Sequence, residues 1–156
     1  MIANRRCGRC LHQFLVTSAA SEAPVAIGIP SEEDETPVYA GWEAPVALVF
    51  RAPGDKVPYQ YDFGDDWMHT VMLEEIVTTG KAIQRPTCVA GERACPPEDC
   101  GGPHGYAELL RALADREHDS HDELQQSVPR GFDPDRFDPR RVKFDDPKKR
   151  LQNLLD

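Results

Sequence analysis

The chain has 156 residues, a length typical of one domain, and its 40% hydrophobic content is sufficient for a buried core. Its 27 acidic and 18 basic residues give a formal net charge of -9, which argues against general binding to phosphate backbones or anionic lipids. There is no run of about 18 apolar residues and no apolar segment of a signal peptide, so we expect a soluble, cytoplasmic protein without a membrane partner.

The first third of the chain is predicted to hold one strand and a long loop. Residues 11–16 are short and apolar with one polar interruption, as in a strand. Residues 18–42 contain three prolines and an acidic run, which favours an exposed, partly irregular loop. Residues 44–50 are almost wholly apolar but short and interrupted by Pro45, so helix and strand both stay open.

The middle of the chain has the pattern of an aromatic hairpin. Aromatic and polar residues alternate over residues 57–63, as in a half-buried strand. The Gly-Asp-Asp sequence at residues 64–66 is typical of a turn. A second strand is predicted over residues 67–78, which would pair with the first as an antiparallel hairpin.

The C-terminal half is predicted to be a loop followed by helices. Residues 85–103 contain too many prolines and glycines for a regular element. Helical spacing of apolar residues predicts one helix over about 104–114 and a shorter one over about 119–127. We therefore predict an α+β fold, in which an antiparallel sheet with a central hairpin (about 57–78) is packed by these C-terminal helices.

Three motifs give the chain a resemblance to a known family. The hairpin sequence YQYDFGDDWMH resembles the YxYDFGDxWxH hallmark of the plasmid pRiA4b open-reading-frame-three-like family. The loop CVAGERACPPEDCGG and the later HDSH and FDPDRFD segments resemble the family in order and spacing. The candidate motif or surface residues within these segments are Tyr61, Asp62, Asp65, Trp67, Glu98, Asp99, His118 and His121.

The resemblance implies a family of unknown biochemical function, described as a passenger of transposable elements and labelled TnpR-like. Members usually begin with a strand and a helix before an HLHxF motif, whereas here the related CLHQF stands at residues 10–14. We expect residues 1–10 to be an aberrant or disordered start, including the C-x2-C pair of Cys7 and Cys10. Residues 11–156 would then be a single domain, incomplete at its N-terminus.

The clearest candidate for chemistry is a group of three cysteines. Cys88, Cys95 and Cys100 have the spacing C-x6-C-x4-C on a loop rich in glycine and proline, which suits tetrahedral zinc. Packing of three small side chains is the alternative. The fourth ligand would be a histidine, and His69 is our candidate, with His104, His118 and His121 as further choices.

Other polar clusters have structural alternatives of equal or greater weight. His69 and the acids near it resemble a hard-metal or acid-base site, but aspartates also favour turns. His118 and His121 share one helical face, where they could chelate or act as capping and surface residues. The basic segment Arg140–Arg150 could dock nucleic acid, but pairing within the molecule, with the acidic hairpin turn, or exposure to solvent is favoured.

These patterns favour a binding or accessory module with a protein or small molecule as its partner, and the family resemblance implies an association with mobile elements. One alternative is a metal-dependent enzyme or a zinc-stabilised protein that uses Cys88, Cys95 and Cys100. Another is a truncated copy without function, which a cooperative unfolding transition would contradict. No catalytic signature stands out, so we lean towards a protein that is not an enzyme.

Overall fold

The computed structural model describes residues 11–17, 24–31, 34, 36–80 and 85–155. The chain divides into two compact units. One is a sheet unit within residues 11–80, and the other is a helical unit within residues 85–155. The predicted disordered start, with Cys7 and Cys10, lies outside the described residues.

The sheet unit is built on five strands. They are β1 (His12–Val16), β2 (Val25–Gly28), β3 (Val38–Ala40), β4 (Lys56–Tyr61) and β5 (Trp67–Met72). Their order in the sheet is β3-β2-β1-β4-β5. Strand β3 runs parallel to β2, and the other neighbouring pairs are antiparallel. The sheet is therefore mixed, where the sequence predicted an antiparallel one.

The prediction of an irregular loop over residues 18–42 is wrong in two places, where the structure has β2 and β3. The β-branched and apolar sequence of β2 pairs along its whole length with β1, from Val16 opposite Val25 to Gln13 opposite Gly28. The prolines on either side are typical of a loop, and this four-residue strand is recognised only through its pairing with β1 and β3.

The predicted hairpin is present but shorter than expected. Its turn begins at Asp62, whose left-handed φ of 56° ends β4 before Phe63. At the other end, Met72 pairs with Lys56, the first residue of β4. Beyond that pair the partner chain turns at Gly54, so the ladder stops and β5 ends at residue 72 instead of 78.

One face of the sheet is better covered than the other. On the first face, Val57 and Tyr61 are buried, and Trp67, His69 and Val71 on β5 are half-buried. On the opposite face the β5 residues Met68, Thr70 and Met72 are exposed. The alternation that predicted the hairpin therefore also marks its packed side.

The described residues also form four helices, which confirms the predicted α+β class. The one-turn helix α1 (Val46–Val49) belongs to the sheet unit, and α2 (Gly102–Ala114), α3 (His121–Ser127) and α4 (Pro147–Leu155) belong to the helical unit. A short 3-10 turn lies at Pro139–Arg141. Helix α2 buries Leu109 and Ala112 and packs against α3. No helix among the described residues is both long and apolar enough to cross a membrane.

Candidate functional site

An aromatic row crosses the packed face of the sheet. Phe14 and Tyr59 are opposite each other on β1 and β4, and Tyr59 is opposite His69 on β5. The Phe14 and Tyr59 ring centroids are 4.8 Å apart, and those of Tyr59 and His69 are 6.0 Å apart. His12 lies beside the row, 5.8 Å from Tyr59. The hairpin motif therefore supplies packed rings to the sheet.

His69 is half-buried in this row. Its Nε2 atom is buried and has no hydrogen-bond partner among the described residues. Desolvation lowers the pKa of His69, because burial disfavours the charged imidazolium. Burial therefore favours the neutral form of the ring.

The acidic turn of the hairpin uses its aspartates to hold the backbone. The Asp62 carboxylate accepts hydrogen bonds from the backbone N–H groups of Gly64 (3.1 Å) and Asp65 (3.3 Å). The Asp66 carboxylate accepts a hydrogen bond from the Gln60 side chain at 2.6 Å. These contacts follow the structural alternative raised above, in which aspartates form the turn.

The cysteine loop is tied to the connector that follows α3. The Ala94 N–H donates to the Pro134 carbonyl at 2.9 Å, and Gly91 lies against the ring of Phe137. The second and third sequence motifs are therefore in contact within the helical unit. Cys88 and Cys100 are half-buried and Cys95 is exposed.

The surroundings of Cys95 raise the pKa of its thiol. The causes are desolvation, then the Glu98 carboxylate and the Cys100 thiol. Tyr106 has a raised pKa as well, through desolvation and then Cys100. Cys95, Glu98, Cys100 and Tyr106 thus form one local cluster.

Across the described parts of the chain, no three His, Cys, Asp or Glu side chains are grouped so that they could hold a metal ion. Cys88 points towards its own loop, with its thiol 3.4 Å from the Ala90 carbonyl oxygen. His69 belongs to the sheet unit and the cysteines to the helical unit. The predicted zinc site of Cys88, Cys95, Cys100 and His69 stays a prediction.

His118 and His121 connect α3 to α2. His118 Nδ1 accepts the Ser120 N–H at 3.2 Å, which places the proton of the neutral ring on Nε2, 3.1 Å from Glu108. His121 Nδ1 is 2.7 Å from the Ala112 carbonyl, to which it can only donate. Both histidines of the H-x-x-H motif therefore contact residues of α2.

The basic segment Arg140–Arg150 contains local ion pairs. Arg140 pairs with Asp138 at 3.1 Å, and Arg150 lies 3.8 Å from Asp145. Both arginines form ion pairs with nearby aspartates, and exposed pairs of this kind are individually weak. A nucleic-acid interface there stays a prediction.

The sheet unit also carries a cavity that the sequence did not reveal. It has a volume of about 640 Å³ and lies where β1 ends and β2 and β4 begin. A second hollow of about 370 Å³ adjoins it, and the two share Val25, Ile27, Tyr39 and Leu48. Arg51, Asp55 and Lys56 line the first cavity, and Glu43 lines the second hollow.

The lining of the cavity comes from strands and a helix that are separated along the chain. Val25 and Ile27 lie on β2, Tyr39 on β3 and Leu48 on α1. Each of these residues would be ordinary in a core, and no motif marks them. Only the exposure of Tyr39 (60%) and Leu48 (58%) in the folded unit distinguishes them.

Comparison with known proteins supports the resemblance seen in the sequence. The chain is similar to the uncharacterized protein y4hQ of Sinorhizobium fredii, with 36% identity over 100 residues. That match covers 64% of this chain and 51% of y4hQ, so the chain spans about half the length of this curated relative. It is also similar to the crystal structure of a protein of unknown function from Methanosarcina mazei Go1, with a TM-score of 0.74 and 34% identity. That structural match covers 86% of this chain and 74% of the other.

The model of the family described as "Plasmid pRiA4b ORF-3-like protein" matches residues 3–141. The match includes all three motifs identified above, from the hairpin to the Phe-Asp-Pro segment. The named relative and the solved structure are both without an assigned function. The resemblance is confirmed, and the chain belongs to the plasmid pRiA4b ORF-3-like family.

Proposed function

We propose that this protein is a binding module that takes a small, largely apolar molecule into the cavity of its sheet unit. The observation that carries the proposal is the cavity itself, with Val25, Ile27, Tyr39 and Leu48 at its apolar centre. Ligand cavities in proteins have volumes of roughly 300 to 1,000 Å³ and mostly apolar walls with a few polar groups. The cavity of about 640 Å³ falls within that range.

The exposure of the apolar wall also supports binding. Tyr39 and Leu48 leave more than half of their surface open, at 60% and 58%. An apolar ligand that covered them would remove this area from water, which favours binding by about 25 cal/mol per Å² before the entropic costs of association. The floor is fixed in place, since β2 pairs with both β1 and β3.

An accessory role in mobile elements and a cytoplasmic location belong to the same proposal. The family takes its description from a plasmid reading frame, which supports the first. The three cysteines among the described residues, Cys88, Cys95 and Cys100, support the second, because they are free and free thiols persist in reducing compartments. Neither feature identifies the ligand.

The zinc hypothesis remains a second candidate because of the cluster around Cys95. Glu98 and Cys100 both raise the pKa of Cys95. A bound cation would act in the opposite direction, because it stabilises the thiolate. Either zinc stabilisation or metal-dependent catalysis would need further ligands at this cluster.

Binding of a neutral apolar probe, Nile red, tests the proposed function. We expect saturable binding to the full chain, with an increase in probe fluorescence. Leu48→Gln should weaken the binding by about tenfold, because it places an amide in the apolar wall. The matched control is Val46→Gln, on the same helix turn, where Val46 is 74% exposed and does not line the cavity.

The comparison of the two variants decides the proposal. Equal loss in Leu48→Gln and Val46→Gln would mean that the probe binds elsewhere, as would an unchanged affinity in both. Urea unfolding of each variant confirms that the fold is kept, because both positions are largely exposed in the parent.

A further inference from the structure

We propose that the outer edge of β5 binds an extended segment of a partner protein, with basic residues at the ends of that segment, as an additional strand of the sheet. Strand β5 stands last in the strand order β3-β2-β1-β4-β5. An edge strand offers a row of N–H and C=O groups to which another strand can pair. No β5 residue lines the cavity or the second hollow, so this inference goes beyond the proposed small-molecule function and is independent of it.

The hydrogen bonds of the hairpin show which β5 residues face this outer edge. Beyond the last strand pair, the Leu73 N–H donates to the Asp55 carbonyl at 3.0 Å, towards β4. Alternate residues of an antiparallel strand direct their N–H and C=O groups to opposite edges, so the even-numbered β5 residues face away from β4. These residues are Met68, Thr70 and Met72.

A second bond, on the other side of β4, gives the same alternation. The Asp62 N–H donates to the Leu11 carbonyl at 2.9 Å, on the side of β1. Even-numbered residues of β4 therefore face β1, and odd-numbered ones face β5. The pairing between β4 and β5 runs without a bulge from one end to the other, so the alternation holds along the whole of β5.

The outward-facing part of β5 is open and unprotected. Met68, Thr70 and Met72 are exposed, and within the described ranges no hydrogen bond beyond the β4–β5 ladder reaches any of them. Natural edge strands are commonly protected from pairing by a charged side chain, a proline or a bulge. The β5 sequence WMHTVM contains no acidic residue, lysine, arginine or proline. The edge can therefore accept a further strand.

The charges at the two ends of β5 specify the kind of strand that fits. The chain has no lysine or arginine from residue 62 to residue 75. Lys56, which is opposite Met72 on β4, offsets one negative charge and leaves the edge acidic. Lysine or arginine at the ends of an added strand would complement this charge. The acidic residues that flank β5 are Asp62, Asp65, Asp66, Glu74 and Glu75.

The same charges disfavour a second copy of this chain as the occupant. Antiparallel pairing of two β5 strands would place the aspartates of each hairpin turn near Glu74 and Glu75 of the other copy. Parallel pairing would place one acidic turn beside the other. Like charges opposite each other destabilise a strand pair. A partner strand with basic ends avoids this repulsion in either orientation.

Fluorescence anisotropy with labelled synthetic peptides tests this inference on the full chain. The probe is the peptide KVTVTVK with blocked termini, and EVTVTVE is its acidic counterpart. We expect KVTVTVK to bind at least about tenfold more tightly than EVTVTVE, and this preference to fall as salt is added. Two further forms of KVTVTVK carry N-methyl groups, one on its valines and the other on its threonines. Only one of them should bind about tenfold or more weakly, because alternate N–H groups of an added strand face the sheet.

Substitutions in the protein test the edge and its charge separately. Thr70→Pro removes an N–H that faces away from β4, so it should weaken KVTVTVK binding by about tenfold or more and keep the β4–β5 ladder. Thr70→Val is the matched control, because it keeps that N–H and should keep the binding. Asp65→Asn should weaken the binding by about two- to fivefold. Asp119→Asn, an exposed position of the helical unit, should leave it unchanged.

Several results would overturn the inference. Absence of KVTVTVK binding, or equal binding of KVTVTVK and EVTVTVE, would reject a partner strand with basic ends. Unchanged binding in Thr70→Pro or in both N-methylated peptides, or lost binding in Thr70→Val, would reject pairing at the β5 edge. A parent dimer that Thr70→Pro converts to a monomer would assign the edge to a second copy instead. Urea unfolding checks the fold of Thr70→Pro, and the N-methylated peptides test the same pairing on the unaltered protein.

Discussion

Gly91 lies against the edge of the Phe137 ring, so closely that a Cβ atom at position 91 would stand 2.5 Å from the ring atom Cε1. Residue 91 is in the cysteine loop and residue 137 in the connector after α3, so this contact joins two motifs that are separated in the sequence. The half-buried Phe137 thus requires a glycine opposite it.

Gly91→Ala should therefore destabilise the protein by about 1–3 kcal/mol, the usual cost of an overpacked contact. Phe137→Leu removes the ring atoms that the new methyl group would meet, so the same glycine substitution should cost less in that background. Urea unfolding of the parent, both single variants and the double variant measures the coupling. Additive effects would contradict the contact.

Gly105 lies inside α2, where the carbonyl of Cys100 occupies the place that a Cβ atom would take. Helix propensity alone predicts that Gly105→Ala stabilises the protein by about 1 kcal/mol. The clash is with backbone, which yields less easily than a side chain, so we expect a net loss of stability. Thermal unfolding of the parent and of Gly105→Ala shows whether the substitution lowers or raises the stability. Gly80→Ala is the control, because nothing lies within 4 Å of a Cβ there.

The first face of the hairpin could be predicted from the sequence because its signal is local. Tyr59 and Tyr61 alternate with polar residues, and the aspartates of the turn follow directly. Strand β2 could not be predicted in this way, since its four residues depend on pairing with β1 and β3. Its neighbours Pro24 and Pro30 are typical of a loop, and tertiary pairing overrides that preference.

The cavity was hidden for a related reason. Its lining residues come from five short elements, and the apolar ones are of types common in a core. The turn beside the cavity shows no motif in the sequence either, and the Asp55 carboxylate accepts the Arg51 and Ala52 N–H groups only when this turn folds. The sequence does place His118 and His121 on one helical face. The contact of His121 with the Ala112 carbonyl could not be predicted, because it depends on how α3 packs against α2.

The lowered pKa of His69 predicts how the stability of the protein depends on pH. Desolvation places the pKa of His69 in the folded protein below its value in the unfolded chain, so the unfolded state binds the proton more readily. Stability should therefore fall as the pH decreases below about 6.5, the ordinary pKa of histidine, and should level off below the folded pKa. Both tryptophans, Trp42 and Trp67, are in the sheet unit and report its unfolding by fluorescence.

His69→Phe tests the assignment, because it keeps a ring beside Tyr59 and removes the titrating group. We expect a shallower loss of stability between pH 7 and 5 than in the parent, measured by urea unfolding at each pH. His104→Gln is the control, since His104 is exposed in the helical unit. A parent and a His69→Phe variant with the same pH profile would show that another group controls the change.

Metal analysis of protein purified without added metal decides between the two interpretations of the cysteine cluster. If the raised pKa of Cys95 reflects packing beside Glu98 and Cys100, the protein should contain no stoichiometric zinc. The Cys95 thiol should then react with iodoacetamide more slowly than a free thiol at neutral pH, and its reaction rate should increase as the pH rises.

If zinc is bound, a Cys88→Ser, Cys95→Ser double variant should lose it and unfold at a lower temperature, because bound metal contributes to folding. Gly80→Ala, a substitution in the sheet unit where nothing lies within 4 Å of a Cβ, should keep the parent's metal content in either case.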